Sequence, residues 1–184
     1  IEALVQRYGM DRRQASRVEG TAMRLFDQVA RSWQLDGDDR RMLAWAARVH
    51  ELGLVIAHSQ YQVHGAYVIE HSDIAGFSRQ EQQFLATLVR CHRRKIGKNA
   101  FEALPDRLLL QAKRSAALLR IAVLLHRSHD ADEIPQLKAL ADGPVLQVGL
   151  PRPWLEARPL LRTDLEGEPE EMAALGITLV LSAA

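Results

Sequence analysis

Two groups of side chains in this 184-residue chain are suited to chemistry, a run of cations and a set of histidines. Residues 90–114 hold eight Lys/Arg against two Asp/Glu. A focused positive patch of that kind favours an anionic partner, although a solvated helix end has the same composition. Among the seven histidines, His50, His58, His64 and His92 fall in the most informative places. His50 lies on the apolar face of a helical stretch beside Glu51, where a histidine is most often a hydrogen-bonded core residue. His92 falls at the predicted end of a helix, where the dipole favours a protonated imidazole. A plain C-cap contact is the alternative for that ring. The lone Cys91 excludes an intramolecular disulfide and cysteine-based zinc sites, and it reads as an inert, half-buried thiol.

The overall net charge of +1 conceals an asymmetry. Residues 1–127 carry +7, with 20 Lys/Arg against 13 Asp/Glu, and residues 128–184 carry −6. The length suits one medium domain with a small appendage and is enough to bury a core. The opening stretch is mixed and polar, and no apolar run approaches the roughly 20 residues of a membrane span. A cytoplasmic globular protein is therefore expected.

Helices must position the first set of residues. Val18, Ala22, Leu25, Phe26, Val29 and Trp33 recur at three-and-four spacing, which predicts a helix over about 11–33. Met42, Leu43, Ala46, Ala47, Val49, His50 and Leu54 mark a second helix that ends near Gly53, and residues 60–71 a shorter one. Ser78 with Glu81 matches a capping box that opens a fourth, and 107–127 predicts a long fifth. After His129 the pattern changes. Residues 137–141 and 145–150 read as strands around the turn Asp142-Gly143-Pro144. A helix is expected from Pro153 to about Leu165, interrupted by Gly167 to Pro169, and a strand over 177–181. The fold class expected is mainly α, with a helical bundle over 1–130 and a small α+β (β-β-α-β) subdomain over 131–184.

His50-Glu51, placed after a helical apolar run and before Gly53, resembles the His-Asp signature of the HD superfamily of metal-dependent phosphohydrolases. The resemblance implies an HD-domain-like bundle in which that pair, a distant His and a distant Asp hold a divalent metal that activates water at phosphorus. The distant positions correspond here to Gln14 and Val123, and the pair has Glu for Asp. The pocket is thus expected to be degenerate, with at most His50 and Glu51 left to meet a metal. His58 and His64 either face that pocket or act as hydrogen-bonding struts.

A longer resemblance runs from Trp45 to Lys95. Its pieces are Leu52-Gly53-Leu54 with Ile56 and His58, then His64-Gly65-Ala66-Tyr67, Ser72-Asp73 with Gly76-Phe77, and Val89-Arg90-Cys91-His92-Arg93. In order and spacing they resemble the C-terminal region of the exopolyphosphatase / guanosine pentaphosphate phosphohydrolase family, most closely an exopolyphosphatase. The resemblance implies a parent enzyme whose catalytic half is an actin-like, magnesium-dependent pair of lobes lying outside this chain. It also implies that this region binds inorganic polyphosphate, supports a homodimer and is itself noncatalytic. Arg90, His92, Arg93, Arg94, Lys95 and Lys98 are then the expected polyphosphate-binding residues. An independent HD-type phosphohydrolase acting on nucleotides such as guanosine pentaphosphate is the alternative. A signalling or nucleic-acid-binding helical module is a third reading, which the basic segment allows but for which no known reader motif is present.

Overall fold

A computed structural model of the chain describes residues 1–129 and 133–183. Six helices come first: α1 (Glu2–Arg7), α2 (Arg12–Trp33), α3 (Gly37–Val49), α4 (Tyr61–His71), α5 (Arg79–Cys91) and α6 (Asp106–Leu125). They are followed by β1 (Lys138–Asp142), β2 (Val145–Leu150), α7 (Arg152–Glu156), α8 (Pro159–Ala174) and β3 (Thr178–Ala183). The fold is mainly α with a small α+β part, as the sequence implied. The expected boundary at 130/131 lies outside the described residues. No described helix is long and apolar enough to cross a membrane.

Side-chain caps start three of the helices, and the Ser78 box is the one the sequence singled out. Asp11 caps α2 by accepting from the amides of Arg13 and Gln14. Asp36 with Asp39 and Ser78 with Glu81 form reciprocal capping boxes on α3 and α5. Each such cap is worth about 1 kcal/mol because it satisfies amides that the first helical turn leaves bare. The apolar stripe of α2, from Val18 to Trp33, is buried as its spacing predicts. Helix α6 is buried almost all round between Ala116 and Ala122, and it packs on α2, α3, α5 and α8. It is the central post of the molecule.

The sheet has the order β1-β2-β3, with β1 antiparallel and β3 parallel to β2. Alternation turns Ala139, Leu146, Val148 and Leu179 inward and leaves Leu140, Gln147 and Val180 outward. β1 lies against α2, and α8 covers β3. The side chain of Gln28 on α2 bonds the amide of Ala139 at 2.9 Å and the carbonyl of Leu137 at 3.2 Å. The Trp33 indole donates to the carbonyl of Gly143 at 3.0 Å.

One expectation about helix breaks is corrected. The chain breaks between α7 and α8, and α8 runs through Gly167–Pro169 without stopping. Pro159 sits in the first turn of α8, where a missing amide costs nothing. Pro169 does forfeit the bond to the Leu165 carbonyl. The helix persists because Leu165, Glu168 and Met172 on one face are buried, and Glu168 is held by Arg120.

Candidate functional site

Between α3 and α4 the backbone makes a close approach that sets the site. A Cβ built on Gly53 would lie 1.8 Å from the Tyr61 carbonyl oxygen and 2.6 Å from the Gly65 amide nitrogen. Only glycine fits there, so the turn after His50-Glu51 rests directly on the first turn of α4. Tyr61 is thereby brought beside His50, Glu51 and the end of α5. These residues wall a cleft of about 300 Å3.

His50 and His92 close the floor of this cleft, both about 1% exposed. Each caps the C-terminus of its own helix. His50 Nδ1–H donates to the Ala47 carbonyl at 2.7 Å, and His92 Nδ1–H donates to the Val89 carbonyl at 2.6 Å. The two rings meet edge to face with centres 5.3 Å apart. Burial lowers the His50 pKa to about 4 and holds that of His92 well below its ordinary value. Both are neutral near pH 7, so the expected dipole-stabilised imidazolium at His92 is corrected: burial outweighs the helix terminus. With Nδ1 committed to a carbonyl, each Nε2 presents a lone pair, and neither has a hydrogen-bond partner among the described residues.

All four positions matched to the metal-binding signature line this cleft, namely Gln14, His50, Glu51 and Val123. Gln14 is committed elsewhere. Its amide donates to the His126 carbonyl at 2.7 Å, and its oxygen accepts from Arg17 at 2.8 Å. Val123 offers no ligand atom. Glu51 lies 3.0 Å from His129 Nε2 and 3.8 Å from His50 Nε2. The second contact is not an ion pair, because His50 is neutral. Burial raises the Glu51 carboxyl pKa, while His129 opposes the rise. Among the described residues no three His, Cys, Asp or Glu side chains gather in a way that could hold a metal ion. The donor set does not fit a divalent centre, and magnesium, which prefers several oxygen ligands, fits it least.

The cations divide between two hollows. Arg93, Arg94, Lys95 and Arg127 line the cleft of the two histidines. The Arg93 guanidinium lies 4.3 Å from the centre of the Tyr61 ring. Arg94 adopts φ 58°, which turns the chain out of α5 and carries Arg94 and Lys95 to the surface. Among the described residues Arg93, Arg94 and Lys95 have no carboxylate partner. Arg90 points to a second, larger hollow of about 1010 Å3, where it pairs with Glu70 at 2.9 Å. Arg94 and Lys95 line both hollows, and Lys98 lines neither. His58 and His64 do not line the cleft either.

The basic loop is held from behind. Arg120, 2% exposed, makes a two-pronged ion pair with Glu168 at 2.9 and 2.8 Å. Its remaining nitrogen donates to the carbonyls of Cys91 at 2.8 Å and Arg94 at 2.9 Å. Glu171 accepts from the Ile96 amide at 2.9 Å. Sequence reasoning did not assign Arg127, His129 or this clamp. The one available signal was spacing, since Arg127 follows Arg120 by seven residues, two helical turns.

With that geometry in view, comparison with known proteins is informative. The family described as Ppx/GppA phosphatase, domain III, matches residues 1–169. A guanosine-5'-triphosphate,3'-diphosphate pyrophosphatase of Pseudoalteromonas translucida is 31% identical over 99% of this chain and 37% of its own length. Proteins of the same name from Photobacterium profundum and Aeromonas hydrophila are each 31% identical, over 98% and 95% of this chain. The chain thus spans little more than a third of the relatives it matches, 37% and 36% of their lengths. The cleft glycines, the buried histidine pair and the basic turn after α5 all lie within the matched region, and the chain belongs to the Ppx/GppA phosphatase family, whose domain III it carries.

Proposed function

We propose that this chain is the polyanion-binding, noncatalytic part of a phosphoanhydride hydrolase. The carrying observation is that Arg93, Arg94 and Lys95, all without carboxylate partners among the described residues, share one cleft edge with Arg127. Cations held without a counter-charge lower the cost of bringing an anion to the surface, and arginine offers phosphate oxygens a fork of donors. The anion proposed first is inorganic polyphosphate, from which the parent enzyme would release terminal orthophosphate. Its catalytic domains, with their magnesium, lie outside this chain in this reading, and the assembly is a homodimer in the cytoplasm.

A second reading takes guanosine pentaphosphate as the substrate, and the printed name of the relatives favours it. An independent metal-dependent hydrolase gains less support, because Gln14 is tied to His126 and Val123 is apolar.

Equilibrium binding to polyphosphates of graded length, in a salt series, tests the proposal. The double variant Arg93→Glu, Arg94→Glu should weaken long-chain binding at least about tenfold. It should also flatten the dependence of log K on log salt, by roughly 0.7 for each phosphate no longer neutralised. Unchanged long-chain affinity in a variant that melts like the parent would reject this edge as the binding surface.

A further inference from the structure

The rim and the floor of the histidine cleft ask for different chemistry. The rim is cationic, with Arg93, Arg94, Lys95 and Arg127. The floor is made of acceptors. Each imidazole must carry its proton on Nδ1, because the atom facing it there is a carbonyl oxygen, at 2.7 Å for His50 and 2.6 Å for His92. The Nε2 lone pairs of both rings are buried and have no hydrogen-bond partner among the described residues. The Glu51 carboxylate, 3.8 Å from His50 Nε2, adds acceptors and no donor.

Buried acceptors left without donors are costly, so this floor selects for groups that donate. Polyphosphate does not supply them. The interior units of such a chain carry acceptor oxygens alone. A terminal unit brings at most one P–OH near neutral pH, with its negative charge set against Glu51. Phosphate therefore belongs at the rim, and the floor takes an uncharged group with several donors. An ammonium group would meet the cations of the rim, which leaves alcohol hydroxyls.

The two levels lie close together. The centre of the Tyr61 ring is 5.4 Å from that of His92 and 4.3 Å from the Arg93 guanidinium, so a single aromatic ring joins floor to rim. The cleft, about 300 Å3, is at the small end for ligand sites and suits one small ring. We propose that it binds a phosphorylated polyol, a sugar phosphate of one ring, with hydroxyls donating to His50 Nε2 and His92 Nε2 and the phosphate held by Arg93, Lys95 and Arg127. This proposal rests on the reading of the basic edge as a phosphate site and adds a second ligand class to it.

The floor and the rim divide the work. The rim cations attract any phosphate, whatever it is attached to. The floor discriminates, because a ligand without hydroxyls leaves two buried lone pairs unmatched. A sugar phosphate and a polyphosphate chain would use the same rim cations, so the small ligand displaces the chain from this stretch of its surface. Bound sugar phosphate would thus report on the cell's phosphorylated sugars to a domain that grips a polyanion.

The test is calorimetric titration of the whole chain, at one ionic strength, with glucose 6-phosphate, fructose 6-phosphate, ribose 5-phosphate, tripolyphosphate and cyclohexylmethyl phosphate. The last matches the sugar phosphates in charge and in having one small ring, and it lacks their hydroxyls. At least one sugar phosphate is expected to bind about tenfold or more tightly than cyclohexylmethyl phosphate. His92→Phe keeps a ring in place, removes one lone pair and should erase most of that advantage. Lys95→Gln should weaken every one of these phosphates by a similar factor. Should His92→Phe melt early, nitrogen NMR of the parent chain decides instead. The Nε2 resonances of His50 and His92 should move with the sugar phosphate and stay still with cyclohexylmethyl phosphate. If tripolyphosphate binds and no sugar phosphate outdoes cyclohexylmethyl phosphate, the polyol floor is overturned while the phosphate edge stands. If none of the five binds, both readings fall.

Discussion

His50 and His92 are built the same way on two different helices. Each ends its helix, turns its Nδ1–H back onto the carbonyl three residues earlier, and presents a bare Nε2 to a shared interior. Their rings touch edge to face, 5.3 Å between centres, so a proton on either ring would be held in a dry place beside a second base.

The pair makes stability depend on acid. The folded state holds His50, His92 and His126 neutral, with pKa values of about 4 for His50 and His126 and well below the ordinary value for His92. The unfolded chain takes up protons near the ordinary value of about 6.5. It therefore binds more protons than the folded chain below that pH, and stability falls as pH drops from about 6.5 towards 4. The slope is about 1.4 kcal/mol per pH unit for each histidine. Glu51, whose carboxyl pKa is raised, acts in the opposite sense. Urea midpoints should be clearly lower at pH 5 than at pH 7, and His92→Phe should flatten the decline. A midpoint flat across that range would refute the buried neutral pair.

Gly53 is the least replaceable glycine. Gly53→Ala puts a methyl into the Tyr61 carbonyl and the Gly65 amide and should cost at least about 3 kcal/mol, above the usual overpacking range because backbone is struck. Gly65→Ala, whose nearest contacts are 3.2 Å, should cost less. Gly20→Ala in mid α2 meets nothing within 4 Å and should stabilise by about 0.5–1 kcal/mol. Calorimetric melts of the three variants give the order directly.

Arg120 and Glu168 should behave as a buried pair that tolerates joint removal better than single removal. Glu168→Gln leaves a buried guanidinium short of its counter-charge and should cost about 3–5 kcal/mol. The double change Arg120→Met, Glu168→Leu should recover part of that loss in chemical denaturation, yet still loosen the loop whose carbonyls Arg120 holds. Equal destabilisation by the single and double variants would contradict this account.

Cys91 should resist thiol reagents until the chain unfolds. It is buried, and burial pushes its pKa up to about 12. The thiolate that reacts is therefore scarce at neutral pH. A disulfide reagent should label no thiol in native buffer and one per chain in denaturant.

The helices were legible because their signals are local. Ser78 with Glu81 and the α2 stripe each act within a few residues, and the structure uses them as read. The break in α8 was misread for the opposite reason. Gly167 and Pro169 are local breakers, and they are overridden by Glu168, whose partner Arg120 lies 48 residues earlier. The cleft shows the same division. The sequence brought Gln14, His50, Glu51 and Val123 into one expected pocket, and all four line it. Sequence could not show that His92 joins them from α5, or that Gln14 is spent on the His126 carbonyl. Burial of His92 depends on the packing of α3 against α5, which no window of sequence contains.

The Arg120–Glu168 bridge bears on the order in which this interior can form. Glu168 belongs to the acidic last third, and Arg120 to the centre of the helical post. A chain stopped before α8 would leave the Arg120 guanidinium without its carboxylate, held only by the carbonyls of Cys91 and Arg94. The helical bundle is thus not self-sufficient. Its innermost charge is neutralised by a stretch that leaves the ribosome only after the whole bundle has, so the native interior stays incomplete throughout the synthesis of its own helices.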